Sequence, residues 1–191
     1  VRDHDITVDD YFTVDYAEAP AFSPDGERVV YVVQRWDLEQ DRRNADLWIV
    51  DVASGQSRRL TFSPAGESAP TWSPDGRWIY FGSSRSRAGE TGAPWNGSRQ
   101  VFRISPDGGE AQPVTTAPRG VGGWQLAADG RHLWFTTTRD RAAEDDFAAL
   151  RGTHGALQYG HGTGNLSLLR RLDLSTWRDE QILDEGRVIG S

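Results

Sequence analysis

The chain has 191 residues, a formal net charge of −7, and neither cysteine nor methionine. Without cysteine there can be no disulfide and no thiolate metal ligand, and the acid excess disfavours nucleic acid and anionic membranes as partners. No run approaches the roughly 18 apolar residues of a membrane helix, and no signal peptide is visible. The compartment stays open, cytoplasmic or periplasmic and secreted alike. Histidine apart, every basic side chain is arginine, which we read as genomic base composition.

From the N-terminus, Val1 to Asp5 is polar. Thr7 with Asp10 three positions on, followed by Tyr11 and Phe12, is a helix start, so a short helix is expected there. Tyr16 to Phe22 is a first strand. Phe22-Ser23-Pro24-Asp25-Gly26 then supplies turn chemistry: proline presets φ, aspartate bonds its own backbone, and glycine takes the positive φ. The apolar run Val29 to Val33 follows as a second strand, Asp46 to Val52 as a third, and Arg58 to Thr61 as a fourth.

The pattern returns. Trp72-Ser73-Pro74-Asp75-Gly76 precedes Trp78 to Phe81, then Gln100 to Ile104, a turn at Asp107 to Gly109, and Gln112 to Thr115. A worn third copy, Leu126-Ala127-Ala128-Asp129-Gly130, precedes Leu133 to Phe135, Asn165 to Leu174 and Gln181 to Leu183. The turn aspartates Asp25, Asp75 and Asp129 lie 50 and then 54 positions apart. Four antiparallel strands on such a period fit a propeller blade. The second strands are apolar on both faces, as strands packed between two neighbouring blades would be. The expected fold is all-β: a partial β-propeller of about three four-stranded antiparallel blades with a short N-terminal helix. The eight tryptophans are expected to pack blade against blade.

This divides the chain into an N-terminal segment at 1–16, blade 1 at 17–62, blade 2 at 63–117 and blade 3 at 118–184, with the start of a fourth blade at 185–191. Three blades cannot close a ring, so the expectation is a fragment of a longer protein that self-associates through uncovered end blades. Between second and third strands, Asp37 to Ala45 is expected to be a solvated loop. Ser83 to Ser98 holds a turn at Pro94-Trp95-Asn96-Gly97 with one exposed aromatic, and blade 3 carries a long insertion at 139–164. Such loops would share one rim, where binding residues concentrate.

Catalytic and metal motifs are sparse. No Gly-x-Ser-x-Gly pentapeptide occurs, and Gly160 to Gly164 lacks the setting of a dinucleotide loop. The histidines His4, His132, His154 and His161 form no ligand pair at helical spacing. His154 and His161 share one loop seven apart, and His132 is expected at a surface or edge. Neither a metal nor a cofactor is expected. The candidate binding cluster is Glu144-Asp145-Asp146, either a clamp for a peptide α-ammonium or another cation, or a solvated helix start.

Ile6-Thr7-Val8-Asp9-Asp10-Tyr11 with Ala21 to Gly26 resembles the N-terminal region of the prolyl oligopeptidase family, in its acylaminoacyl-peptidase and dipeptidyl-peptidase-like branch. Asp46 to Asp51 with Arg59-Leu60-Thr61 is similar to the blade ending of that branch, as is Tyr159 to Gly162 leading into Leu172 to Leu174. The resemblance implies a serine peptidase whose N-terminal propeller gates peptide substrates to a C-terminal α/β-hydrolase domain of the same protein. The triad would lie in that domain, so no catalytic residue is assigned to this chain, which by itself would be inactive. Ser-Pro-Asp-Gly is shared with TolB-type propellers, so a binding propeller with no enzyme attached is the alternative. A propeller from another hydrolase or a sugar-processing enzyme is a third.

Overall fold

Each Ser-Pro-Asp-Gly turn closes through its own side chains and joins the first and second strands of its blade. In the computed structural model, which describes residues 7–37, 41–138 and 167–183, Gly26 takes φ +75° and donates to the Ser23 carbonyl at 2.9 Å. Asp25 accepts the Glu27 N–H at 3.0 Å, and the Ser23 hydroxyl accepts the Arg28 N–H at 2.9 Å. The Ser73 turn repeats these bonds. In the third copy Ala127 has no hydroxyl; Gly130 still donates to the Ala127 carbonyl at 2.9 Å, and Asp129 accepts the Arg131 N–H at 2.8 Å.

A short helix α1 (Val8–Thr13) leads in, and the Asp10 carboxylate accepts the Thr7 N–H at 2.8 Å. Blade 1 is β1 (Tyr16–Phe22), β2 (Arg28–Asp37), β3 (Arg42–Asp51) and β4 (Ser57–Arg59). Blade 2 is β5 (Glu67–Trp72), β6 (Ile79–Ser83), β7 (Gln100–Ile104) and β8 (Gln112–Pro113). Blade 3 is β9 (Val121–Leu126), β10 (His132–Thr138), β11 (Ser167–Asp173) and β12 (Asp179–Leu183). Each is a four-stranded antiparallel meander in sequence order. The expected partial propeller of three blades is what the chain forms. Every first strand shifts register at the same place, between Glu18 and Ala21, between Ser68 and Thr71, and opposite Phe135 to Thr137.

Two cores separate the blades. Val30, Val32, Leu47 and Ile49 of blade 1 meet Trp72, Ile79, Phe81 and Phe102 of blade 2. Tyr80 and Val101, on the other face of blade 2, meet Val121, Leu133, Phe135 and Leu172 of blade 3. Alternate residues of β6 and β7 therefore serve opposite cores, as strand geometry requires. β6 is buried along its whole length, whereas β10 alternates between buried and half-buried positions. Tryptophans do pack between blades: Trp72 Nε1 donates to the Ala21 carbonyl at 3.0 Å, and the Arg103 guanidinium lies 4.2 Å from the Trp78 ring centre and 5.1 Å from that of Trp177.

Two loop expectations are corrected. Of the stretch Asp37 to Ala45, Asp37 and Arg42 to Ala45 are strand, because β2 and β3 pair residue for residue from Arg28↔Asp51 out to Asp37↔Arg42, and residues 38–40 lie outside the described ones. Stacking pays for this extension: Arg35 lies over Trp48 at 4.9 Å, and Arg43 over Tyr16 at 5.3 Å. Trp95 is not an exposed aromatic. It is half-buried and packs against the blade 1–blade 2 core, tilted on Phe102 with ring centres 5.6 Å apart.

Candidate functional site

The segment between β6 and β7 folds back against the junction between blades 1 and 2. Ser86 and Asn96 form a bridge, and the Arg87 N–H donates to the Trp95 carbonyl at 3.1 Å. Asn96 anchors the turn by accepting the Ser98 N–H at 3.1 Å and donating to the Pro118 carbonyl at 3.1 Å. This brings Arg85, Arg87 and Trp95 to the end of β4 and the residues after it. A cavity of about 560 Å³ lies between them, lined also by Arg42, Phe62 and Glu110.

Beneath one wall is a buried ionic group. The Glu67 side chain has no exposed surface and is paired with Arg85. It also accepts the Thr61 hydroxyl, which in turn accepts the Leu47 N–H at 2.9 Å. Nearby, Asp46 pairs with Arg59 at 2.8 Å. Burial pushes both carboxyls above their ordinary range, more than their hydrogen bonds and arginines pull them down. Arg85 is further fixed by lying 5.6 Å from the Phe81 ring centre and 5.1 Å from that of Phe102. Arg87 sits 3.7 Å over the Trp95 ring and pairs with Glu110 at 3.2 Å.

Blade 2 solves the same junction without charge. Gln100 stands where Asp46 stands in blade 1. Its amide accepts from the Thr115 hydroxyl at 2.8 Å and the Ala117 N–H at 3.0 Å, and donates to the Ala117 carbonyl at 2.7 Å. Thr115 takes the Val101 N–H at 2.9 Å as Thr61 takes that of Leu47. The charged form of the junction is therefore a feature of the blade 1–blade 2 boundary among the described residues.

Glu144, Asp145 and Asp146 lie outside the described residues, as do His4, His154, His161 and the segment at 185–191. His132 opens β10 and is half-buried, with Nδ1 3.3 Å from Asp129 Oδ2. Among the described residues no group of three His, Cys, Asp or Glu side chains is placed to hold a metal ion, and no described helix is long and apolar enough to cross a membrane. The arginine-lined cavity and the buried Glu67 were not singled out from the sequence. A signal was present: Glu67 occupies the register position held by Ala17 and Val121 in the other blades.

Three antiparallel four-stranded sheets set face to face, with turn-led repeats, define a β-propeller domain. The chain belongs to the TolB beta propeller domain family, which matches residues 12–156. It is 31% identical over 133 residues to the uncharacterized peptidase YuxL of Bacillus subtilis strain 168, covering 70% of this chain and 19% of that protein. It is 27% identical over 116 residues to dipeptidyl-peptidase 5 of Porphyromonas endodontalis, covering 61% of this chain and 15% of that protein. The chain thus spans less than a fifth of the length of these two relatives. Among solved structures, an acylaminoacyl peptidase of Pyrococcus horikoshii superposes with TM-score 0.61 at 17% identity, over 90% of this chain and 25% of that one; this likeness concerns the fold. The resemblance read from the opening segment and blade endings accordingly meets relatives named peptidase and dipeptidyl-peptidase.

Proposed function

We propose that the chain forms blades of a propeller that screens peptides for a serine-hydrolase domain elsewhere in the same protein, and that the chain itself performs no step of hydrolysis. The observation that carries this reading is the 31% identity to a protein named as a peptidase, across 70% of this chain. The physics suits the task. Blades wedged around an axis leave a narrow passage, and a passage excludes folded chains by width alone, with no specific side chain required. Glu144, Asp145 and Asp146 would then clamp the α-ammonium of an entering peptide.

The test uses the full-length protein. A fluorophosphonate probe should label a serine outside residues 1–191, and short acyl-amino acid or dipeptide esters should be cleaved while folded proteins are not. Replacing Glu144, Asp145 and Asp146 by their amides should raise KM for substrates with a free α-amine and leave N-acylated ones unchanged. Absence of both labelling and turnover would favour the TolB-like binding propeller, a reading that the family match supports. A rise in KM for both substrate types would remove the clamp alone.

The 191-residue chain by itself should self-associate. Tyr31 and Trp48 pair on the face of blade 1 turned away from the Val30 and Ile49 core, and both are half-buried without a further blade. Sedimentation velocity over a concentration series checks this, and a monomer throughout would contradict it.

A further inference from the structure

We propose that the cavity between blades 1 and 2 binds a free carboxylate attached to an apolar group, as at the C-terminal residue of a peptide. The site lies at the junction of the two blades, and its chemistry does not depend on an attached hydrolase domain.

Three arginines, Arg42, Arg85 and Arg87, line one cavity in a chain whose net charge is −7. The acids beside them are Glu110 on the wall and Glu67 below. Glu67 is already matched by Arg85, which its ion pair and the two phenylalanine rings hold in place. Arg85 is thus positioned before any ligand arrives. The Arg87–Glu110 pair is exposed on both sides, and such a pair is worth little and exchanges readily. Arg42 is exposed, and its side chain makes no ion pair or hydrogen bond among the described residues. A planar guanidinium matches a carboxylate in two parallel hydrogen bonds, so Arg42 and Arg87 supply the donors.

The apolar part of the ligand has its own wall. Phe62 is 72% exposed at the cavity, backed by the Arg59 guanidinium 4.6 Å from its ring centre. Trp95 and Leu60 continue that wall inward. The volume falls within the range of about 300–1,000 Å³ for small-molecule sites. Charge on one side and exposed aromatic surface on the other select an amphipathic anion over acetate or inorganic phosphate.

The experiment is 19F NMR on the full-length protein carrying 5-fluorotryptophan, with the Trp95 signal assigned by Trp95→Phe. The probes are N-acetyl-phenylalanine and its amide. The acid should shift the Trp95 signal saturably, and the amide should bind about tenfold more weakly, the loss of a charge-assisted bond. Arg42→Ala should weaken acid binding about fivefold while the other tryptophan signals stay in place; Phe62→Ala should weaken acid and amide alike. An unmoved Trp95 signal, equal binding of acid and amide, or unchanged affinity in Arg42→Ala would each overturn the proposal. None of these outcomes bears on whether the protein cleaves peptides, which the serine-labelling experiment decides separately.

Discussion

Arg85, just past the end of β6, pairs with the carboxylate of Glu67, which lies on the neighbouring strand β5 and has no exposed surface of its own. Removing one partner of a buried pair strands the other, at a cost of about 3–5 kcal/mol. Arg85→Met should therefore destabilise the protein by about 3 kcal/mol, the low end because Arg85 retains some exposure. The double variant Arg85→Met with Glu67→Gln should recover a large part of that loss, since no charge is then left buried. Urea denaturation of the four proteins closes the cycle, and a double variant no better than Arg85→Met would refute the coupling.

The same pair sets a pH dependence whose sign differs from that of the turns. Burial raises the folded pKa of Glu67 above its ordinary 4.5, so its contribution is full below 4.5 and lost as pH climbs through the folded value. Glutamine cannot titrate. The melting temperature of Glu67→Gln minus that of the wild type should accordingly rise as pH climbs above 4.5. A flat or falling difference would show that burial does not raise the Glu67 pKa.

The turn aspartates behave oppositely. The Ser175 hydroxyl and the N–H groups of Thr176 and Ser175 hold Asp173 well below its ordinary 3.8, and the Ser23 hydroxyl with the Glu27 N–H does the same for Asp25. Their stabilisation is present above 3.8 and disappears as pH falls through the lowered values. Asp173→Asn should lower the melting temperature at pH 7 and make progressively less difference in acid below pH 3.8. A melting-temperature gap that persists unchanged in that acid range would contradict the assignment.

Successive turns also touch. A Cβ on Gly130 would lie 3.0 Å from Cδ of Pro74, whereas one on Gly26 meets nothing within 4 Å, and both glycines have positive φ. Gly26→Ala should cost only the left-handed backbone term, about 1 kcal/mol. Gly130→Ala should cost about 1 kcal/mol more, because proline is a rigid neighbour that yields little. Thermal unfolding of the two variants compares them directly; equal losses would mean that the turn stack has room to relax.

The architecture was legible because its cues are local. Gln100 to Ile104 is an apolar run bounded by turn residues, and β7 has those bounds. The turn at Ser23 recurs at Ser73, so strand order followed from counting. What escaped was set by distant contacts. Asp37 to Ala45 is charged and looks like loop, yet the stacking of Arg35 on Trp48 and Arg43 on Tyr16 accompanies pairing that runs as far as Asp37 and Arg42. Pro94 to Gly97 is a turn as its residues indicate, with Gly97 at φ +79°, but no local pattern reveals that Trp95 packs on Phe102. The cavity shares this origin, since Arg42, Arg85 and Arg87 come together only when two blades dock.

The two cores should also differ in how they tolerate a hole. Phe81 and Phe135 are both almost wholly buried on middle strands, at 0% and 3% exposure. Phe81 sits in β6, which is enclosed on both faces and stacks on Phe102 with ring centres 6.1 Å apart. Phe135 sits in β10, where every second side chain is only half-buried and one face is open to adjustment. Truncating a buried phenylalanine costs about 3–5 kcal/mol, and the value depends on how far the surroundings collapse. Phe81→Ala should fall near about 5 kcal/mol and Phe135→Ala near about 3 kcal/mol. Urea midpoints at constant slope would read the difference, and a Phe135→Ala loss equal to or larger than that of Phe81→Ala would mean that the middle blade is not the rigid one.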